Sequence, residues 1–230
     1  EIARRYACHS QVVDEANGVI VHSAFAAALA AQRFACHAGM PIARAALCRA
    51  VETGVDRAAA RARVGIDADA FVVSTFGFVN HIKLLRELVE AWSRSRLAAK
   101  REGRLLIVGQ GHGDRYHLEL QEAIARSDAA ARIAITGYVD DAAMADYFAA
   151  TDVAVQLRSE SRGETSGAAL DCLAFGLPLI TNGCGALAEF PRDAAVVIAR
   201  EFAIRDLVAA LDDLEGDAAA RDVLARNARD

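Results

Sequence analysis

The chain has 230 residues, of which 54% are hydrophobic and 25% are charged, so it can fill a packed core and is not a disordered chain. The 31 acidic residues exceed the 26 basic ones, and a formal net charge of −5 argues against a general nucleic-acid-binding or anionic-membrane-binding surface. No apolar run is long enough to cross a bilayer, since the alanine-rich stretch 24–31 is too short.

The first part of the chain contains few regular elements. A strand is predicted at 19–22, and Ser23 is the expected N-cap of a helix that runs to about Arg33. A second helix is predicted over 56–63, before a helix-ending glycine at Gly65. The residues between these two helices show no clear pattern.

From residue 71 onward, short apolar runs alternate regularly with amphipathic stretches. The apolar runs predict strands at 71–76, 105–108, 133–135, 153–155, 179–181 and 195–198. Single helices are predicted between most of these strands, and the first of them is expected to begin at Lys83. Two further helices, at 203–214 and 217–228, are predicted to end the chain.

Strands that are short, apolar throughout and separated by single helices are typical of a parallel sheet with both faces covered. With right-handed crossovers, this pattern predicts a doubly wound, Rossmann-like α/β domain over 66–230. Residues 1–50 are interpreted as the tail end of a preceding domain, and 51–65 as a linker. Because the chain begins at Glu1 with neither Met nor a signal-peptide pattern, we expect it to be a fragment of a longer protein.

The cysteines are scattered and include no CxxC pair and no zinc-site spacing. They are Cys8, Cys36, Cys48, Cys172 and Cys184. We therefore expect free thiols in a reducing compartment and no metal site, which makes the cytoplasm the expected location.

Ligands of doubly wound sheets bind beyond the carboxyl ends of the strands, and the loop at 77–83 lies at such an end. Gly77 would allow a tight turn or the close approach of a ligand. A lysine at a helix N-terminus opposes the helix dipole, so Lys83 favours a bound anion at this point. A solvent-exposed lysine is the alternative interpretation.

Two further loops give weaker signals. The stretch 109–113 contains Gly109 and Gly111 but lacks the final glycine of the dinucleotide fingerprint, and a simple glycine-rich turn explains it equally well. In the next loop, Tyr138 and Val139 suit a wall against which a base could stack. A turn before a capped helix explains that loop equally well.

The loop at 158–167 is the most informative one, because it concentrates polar and charged residues at one strand end. Ser166 and Gly167 would offer backbone N–H groups at a helix start, which is a common phosphate-binding arrangement, and Thr165 belongs to the same turn. Arg158 and Arg162 add positive charge for phosphate or sugar oxygens.

Two acidic residues accompany this loop. Glu164 does not favour a phosphate, so it is interpreted as an acceptor of hydrogen bonds from sugar hydroxyls. Asp171 lies within the first two turns of the following helix and could accept hydrogen bonds from a ribose diol. The alternative for the whole segment is a capped helix behind a solvated charged loop.

Together these segments resemble the nucleotide-sugar-binding C-terminal domain of retaining glycosyltransferases of family 4 (glycosyl transferases group 1), which have the GT-B fold. The resemblance covers about 66–215 and follows the order and spacing of the family's motifs. Those motifs read Gly77 to Lys83, Val108-Gly109-Gln110-Gly111, Gly137-Tyr138-Val139, Glu164 with Asp171, Gly176-Leu177-Pro178 and Gly185-Ala186-Leu187-Ala188-Glu189. The segment 17–23 similarly resembles the last strand and helix of the family's N-terminal acceptor domain.

Two positions depart from the family pattern. Phe78 stands where the family has an arginine, which leaves Lys83 without its usual partner at the diphosphate, a place that Arg158 or Arg162 could fill. Gly163 stands at the position of the family's first glutamate, with Glu164 one place later.

The resemblance implies transfer of a sugar, with retention, from a UDP- or GDP-sugar to a glycan or lipid-linked acceptor in bacterial polysaccharide or surface-glycan synthesis. Lys83 and Glu164 are the implied catalytic residues, and Lys83, an arginine and the helix start near Ser166 would stabilise the leaving diphosphate without a metal or cofactor. The acceptor would bind to the missing N-terminal domain, so this chain alone is expected to be inactive. Its expected location is the cytoplasm, where it could also lie peripherally at the inner face of the membrane.

Other classes of function are considered beside this one. A non-catalytic module that binds a nucleotide or sugar phosphate is the main alternative, since most of an acceptor domain is missing. A nicotinamide-dependent dehydrogenase is disfavoured by the incomplete glycine fingerprint and by the lack of an acidic residue after the strand at 133–135. RNA or DNA binding is disfavoured because the chain has no basic excess.

Overall fold

The computed structural model describes residues 8–33, 39–49 and 54–229. The strands are β1 Val19–Val21, β2 Ile42–Arg44, β3 Phe71–Phe76, β4 Gly103–Val108, β5 Ile133–Ile135, β6 Val153–Gln156, β7 Leu179–Asn182 and β8 Ala195–Ile198. The α-helices are α1 Cys8–Glu15, α2 Ala24–Arg33, α3 Arg57–Arg63, α4 Leu85–Arg94, α5 Arg96–Ala99, α6 Arg115–Ala125, α7 Asp141–Ala150, α8 Gly167–Ala174, α9 Ile204–Gly216 and α10 Ala218–Asn227. Single 3-10 turns lie at His81–Lys83, Ala130–Arg132 and Gly185–Glu189.

The main sheet has six strands in the order β5-β4-β3-β6-β7-β8, and every neighbouring pair is parallel. The chain winds outward from β3 to β5 and then returns to the other side of β3 to continue with β6. This arrangement confirms the predicted doubly wound, Rossmann-like α/β fold. It also creates a switch point between β3 and β6. There the connections that leave the carboxyl ends of these two adjacent strands run in opposite directions, and a crevice opens between them.

Alternating side chains of the strands pack against helices on the two faces of the sheet. On one face, Val73 and Ile107 pack with buried side chains of α4 and α9. On the other face, Val72, Phe76 and Val108 pack with side chains of α7 and α8. Both faces are therefore apolar and covered, and this is why the strands read as continuous hydrophobic runs in the sequence.

Most predicted elements are present with shifted ends, but one prediction at the switch point is wrong. Lys83 does not begin a helix. It ends the 3-10 turn, Leu84 follows in the left-handed conformation with φ of 51°, and α4 begins at Leu85. A non-glycine residue in this conformation is uncommon, and here it separates the turn that carries Lys83 from the helix behind it.

The segment before the main sheet forms a small unit of its own. β1 pairs in parallel with β2, a strand that the sequence pattern did not predict. Ser23 caps α2 as expected, since its Oγ accepts a hydrogen bond from the backbone N–H of Ala26 at 3.0 Å. The proposed boundaries at 1–50, 51–65 and 66–230 remain predictions, and parts of the first two ranges lie outside the described residues.

Within the described residues, Cys48, Cys172 and Cys184 are free thiols, whereas Cys36 and the side chain of Cys8 lie outside that part of the structure. Among the side chains that the structure describes, no three His, Cys, Asp or Glu residues cluster as a metal site. In the same part of the chain, no helix combines the length and the apolar character needed to span a membrane.

Candidate functional site

A pocket of about 340 Å³ opens at the switch point, between the loops that follow β3 and β6. The two loops are joined by a hydrogen bond from the Ser159 backbone N–H to the Ile82 carbonyl oxygen at 2.9 Å. The pocket is lined by Gly77, Phe78, Asn80, Ile82, Lys83, Arg158 and Glu164. The fold thus brings Lys83 together with residues that lie about 75 to 80 positions further along the chain.

Lys83 lies in the floor of this pocket and is only 7% exposed. Its ammonium group donates a hydrogen bond to the carbonyl oxygen of Phe76, the last residue of β3. Burial, together with the nearby charge of Arg158, lowers the pKa of Lys83 from 10.5 to about 7. The side chain is therefore not the solvent-exposed lysine of the alternative interpretation, and an anion in the pocket would stabilise its protonated form.

The conformation around Lys83 depends on two local features. Asn80 caps the 3-10 turn, because its Oδ1 accepts a hydrogen bond from the Ile82 backbone N–H at 3.1 Å. Gly77 leaves β3 with φ of +102°, and a Cβ atom at that position would lie 2.6 Å from the Lys83 ammonium nitrogen. Only glycine adopts this positive φ without strain and leaves room for the Lys83 ammonium group.

Arg158 provides the second cation of the pocket. Its backbone is fixed by Asn182 at the end of β7, whose Oδ1 accepts from the Arg158 N–H and whose Nδ2 donates to the Arg158 carbonyl, both at 2.8 Å. Burial lowers the pKa of the Arg158 guanidinium, an effect that the nearby Glu164 opposes. An arginine stays charged at neutral pH, and the partly desolvated guanidinium of Arg158 is suited to bind an oxyanion.

Glu164 and Arg162 lie in one loop but face different surroundings. One carboxylate oxygen of Glu164 accepts a hydrogen bond from the Arg162 backbone N–H at 2.7 Å, and Glu164 borders the pocket. The Arg162 guanidinium instead pairs with Glu160 at 3.1 Å and is mostly exposed. The structure therefore brings Arg158, and not Arg162, next to Lys83.

The start of α8 follows this loop. Ser166 is the N-cap, and its Oγ accepts a hydrogen bond from the Ala169 N–H at 3.3 Å, while the helix itself begins at Gly167. The preceding Thr165 has a buried hydroxyl oxygen with no hydrogen-bond partner among the described residues. A buried polar atom without a partner costs free energy, and a ligand group near the start of α8 could supply that partner.

Asp171 lies one turn into α8 and is already paired in this structure. Its two carboxylate oxygens accept hydrogen bonds from Arg49 Nε at 2.7 Å and Arg49 Nη2 at 2.8 Å. Arg49 belongs to the segment before the main sheet, 122 positions away from Asp171. Arg49 could not be found from the sequence, because an ion pair between distant segments leaves no local pattern.

The loops after β4 and β5 form the neighbouring rim of the sheet. A Cβ atom on Gly109 would overlap the Gly77 carbonyl, and one on Gly111 would overlap the His117 ring, so both glycines permit close packing between loops. Tyr138 is 76% exposed, whereas Val139 packs into the core. These residues lie on the same edge as the pocket without lining it.

Phe78 lies at the mouth of the pocket and is 56% exposed. Its ring stacks on His112, with centroids 5.7 Å apart and planes 17° from parallel. The position at which the family resemblance implies an arginine therefore presents an apolar ring. Within the pocket lining, Lys83 and Arg158 are the cationic side chains.

The family profile of the glycosyl transferases group 1 matches residues 70–217, which is more than half of the chain. No curated protein sequence matches the chain significantly.

Solved structures with the same fold are numerous, and three illustrate the likeness. Sucrose-phosphate synthase from Thermosynechococcus elongatus superposes with a TM-score of 0.76 at 22% identity, over 98% of this chain and 56% of that one. Anabaena HepE in complex with UDP and glucose superposes with a TM-score of 0.77 at 19% identity, over 93% of this chain and 57% of that one. The C-terminal domain of LpcC from Francisella tularensis gives 0.67 at 18% identity, over 77% of this chain and 91% of that one. This chain thus spans a little over half the length of the first two proteins.

Proposed function

The chain belongs to the glycosyl transferases group 1 family, and we propose that its main sheet is the donor-binding half of a glycosyltransferase that uses a nucleotide-diphosphate sugar. The observation that carries this proposal is the pocket at the switch point, where Lys83 and Arg158 line one cavity next to Glu164. Two cations in a partly desolvated pocket suit a diphosphate better than a neutral ligand.

The proposed chemistry follows from the charges that develop when the donor is cleaved. The bond between the anomeric carbon and the diphosphate oxygen breaks, so negative charge grows on the diphosphate and positive charge on the sugar. Lys83, Arg158 and the backbone N–H groups at the start of α8 would stabilise the leaving diphosphate. Glu164 would accept hydrogen bonds from hydroxyls of the transferred sugar, and Asp171 from the ribose diol.

The finer parts of the proposal concern the stereochemistry, the substrates and the location. We propose that transfer occurs with retention, by attack on the same face, with the leaving phosphate helping to deprotonate the acceptor. No metal or cofactor takes part in this scheme. A glycan or lipid-linked acceptor in bacterial polysaccharide or surface-glycan synthesis, and a cytoplasmic location with contact to the inner membrane face, complete the proposal.

UDP is the nucleotide that we propose first. HepE, whose fold this chain shares, was crystallised with UDP and glucose and with UDP-glucose. GDP remains the second candidate, because the described pocket contains no side chain that is specific for one base.

The test separates the sugar contacts from the phosphate contacts. In calorimetric titrations, Glu164→Gln should weaken the binding of UDP-glucose about tenfold and leave the binding of UDP unchanged, since a charged hydrogen-bond acceptor contributes on the order of 1.5 to 3 kcal/mol. GDP-mannose and GDP form the second pair of ligands. Glu160→Gln is the matched control, because Glu160 pairs with Arg162 outside the pocket. An equal loss for sugar nucleotide and nucleotide would contradict the proposed role of Glu164.

A non-catalytic binding module is the second candidate function, and the aromatic ring of Phe78 at the mouth of the pocket favours it. Such a module would bind the nucleotide but never cleave the sugar bond. Donor cleavage by a form of the protein extended with an acceptor domain, and its loss in Lys83→Ala, would exclude this alternative. The ¹H NMR signal of the anomeric proton in the first product would then also decide between retention and inversion.

A further inference from the structure

The ion pair between Arg49 and Asp171 engages the carboxylate that we propose as the acceptor for the ribose diol. Both carboxylate oxygens of Asp171 are bound by Arg49, through Nε at 2.7 Å and Nη2 at 2.8 Å. The Arg49 side chain is 41% exposed and that of Asp171 is 15% exposed, so the pair lies at the surface of the protein and not in the core. A ribose diol that approaches Asp171 must therefore compete with this guanidinium.

The same guanidinium lies against the start of α8. Its central carbon is 3.5 Å, and its Nη1 atom 3.7 Å, from the place where a Cβ on Gly167 would stand. The two contacts to Asp171 use Nε and Nη2, and Nη1 has no hydrogen-bond partner among the described residues. A cation at the N-terminal end of a helix is unfavourable by itself, because the helix dipole is positive there. Asp171, one turn further on, compensates for that repulsion in this structure.

A phosphate bound at the start of α8 would change this balance. It would interact favourably with the backbone N–H groups of the helix and would give the Nη1 atom of Arg49 an acceptor. Arg49 could then turn toward the phosphate while the ribose hydroxyls take over the carboxylate of Asp171. A nucleoside without phosphate has to break the same ion pair and offers the guanidinium no new partner.

On the basis of the proposed function, we infer that Arg49 is a further donor-binding residue that selects nucleotides over nucleosides. It holds Asp171 in the empty site and moves to the phosphate when the ribose of a nucleotide binds. The donor site therefore includes one residue from the segment that precedes the main sheet. Arg49 acts on binding and has no part in breaking the sugar bond.

The test compares uridine with UDP, by ligand-observed NMR and calorimetry, on the 230-residue chain. Arg49→Ala should weaken the binding of UDP about tenfold, as expected for the loss of a hydrogen bond between two charged groups. It should strengthen the binding of uridine roughly threefold, as expected for one partly exposed charge pair. Arg49→Lys keeps the charge but cannot bind both oxygens of Asp171 side by side. It should therefore strengthen uridine binding while most of the UDP affinity is kept.

Arg44→Ala is the matched control, since Arg44 is an exposed arginine of β2 in the same segment. It should leave both affinities unchanged, and unchanged melting temperatures would show that all variants fold. If Arg49→Ala weakens the binding of uridine and of UDP by the same factor, or changes neither affinity, Arg49 does not select nucleotides over nucleosides. The proposed donor site would not be contradicted by that result. If the unmodified chain binds no nucleoside diphosphate at all, the proposed function fails and this inference fails with it.

Discussion

Lys83 is the residue on which the proposed chemistry depends most. Its ammonium group is buried at the end of β3, beside Arg158 and close to Glu164 and the Cys172 thiol, and its pKa is lowered to about 7. Near neutral pH the empty pocket therefore holds a mixture of charged and neutral lysine. A bound diphosphate would favour the charged form, so binding should be accompanied by proton uptake.

This coupling predicts how the affinity for UDP depends on pH. Because the pKa of Lys83 in the empty site is about 7, protonated lysine becomes scarce as the pH rises from 7 to 9, and each further unit should cost up to about tenfold in affinity. Lys83→Met should bind UDP at least tenfold more weakly at pH 7 and show a flat profile over this range. Calorimetric titrations at several pH values measure both the affinity for UDP and its dependence on pH. A profile that has the same slope in the variant and in the parent chain would show that another group titrates.

Gly77 is predicted to serve the site as well as the fold. Alanine there meets a φ of +102° and a contact of 2.6 Å with the Lys83 ammonium nitrogen. Gly113→Ala is the matched control, since Gly113 has a φ of +67° and nothing within 4 Å of an added Cβ. Both variants should lose about 1 to 2 kcal/mol of unfolding free energy in urea titrations, but only Gly77→Ala should lose UDP binding. Equal binding by the two variants would contradict the link between Gly77 and Lys83.

The sheet could be predicted at the level of elements because its strands carry their information locally. The strand β3 occupies Phe71–Phe76 as predicted, since a short apolar run flanked by a glycine leaves few alternatives. The turn after it could not be predicted, because it contains the left-handed conformation of Leu84 and a hydrogen bond from Ser159 to Ile82 across the switch point, and neither leaves a local pattern in the sequence. Arg49 could not be predicted either, because its partner Asp171 is 122 positions away and a contact between distant segments leaves no local pattern.

The carboxylate of Glu189 links the helix α2 to the part of the chain that contains the six-stranded sheet. The two oxygens of Glu189 accept hydrogen bonds from the backbone N–H groups of Ala24 at 2.8 Å and Phe25 at 2.6 Å. Ser23 satisfies the next one, that of Ala26. A negative charge at a helix N-terminus also interacts favourably with the helix dipole. The glutamate of the last family motif therefore anchors the preceding segment, and Gly163 lies close to Leu29 of the same helix.

Removal of this carboxylate should loosen α2 from the rest of the molecule. Glu189→Ala leaves two N–H groups unpaired, so hydrogen exchange of Ala24 and Phe25 should accelerate and the unfolding free energy should fall by about 1 to 2 kcal/mol. Exchange in the six-stranded sheet should stay slow. Glu201→Ala, which removes an exposed glutamate, is the control and should change neither quantity. Unchanged exchange at Ala24 and Phe25 in Glu189→Ala would contradict the anchoring role.

At the scale of the whole molecule, the six-stranded sheet is the proposed donor-binding part, and the segment before it packs against this part through α2. It spans 56% of sucrose-phosphate synthase and 57% of HepE. Sugar transfer requires an acceptor held over the donor and exclusion of water from the reacting bond. We therefore expect the 230-residue chain to bind a donor nucleotide without transferring the sugar. Incubation with UDP-glucose and a glycan acceptor, followed by NMR for released UDP and new glycosidic signals, measures this. New glycosidic signals would contradict the expectation.

The most direct measurement is a calorimetric titration of the chain with UDP, GDP, ADP and NAD, repeated on Lys83→Ala. We expect saturable binding of one nucleoside diphosphate, at least tenfold weaker in the variant, because Lys83 faces the pocket in which the diphosphate would lie. We expect no binding of NAD, because the stretch 109–113 after β4 lacks the final glycine of the dinucleotide fingerprint. Binding of NAD, binding of a diphosphate that Lys83→Ala leaves unchanged, or binding of none of the four would contradict a donor-nucleotide site at the junction of β3 and β6.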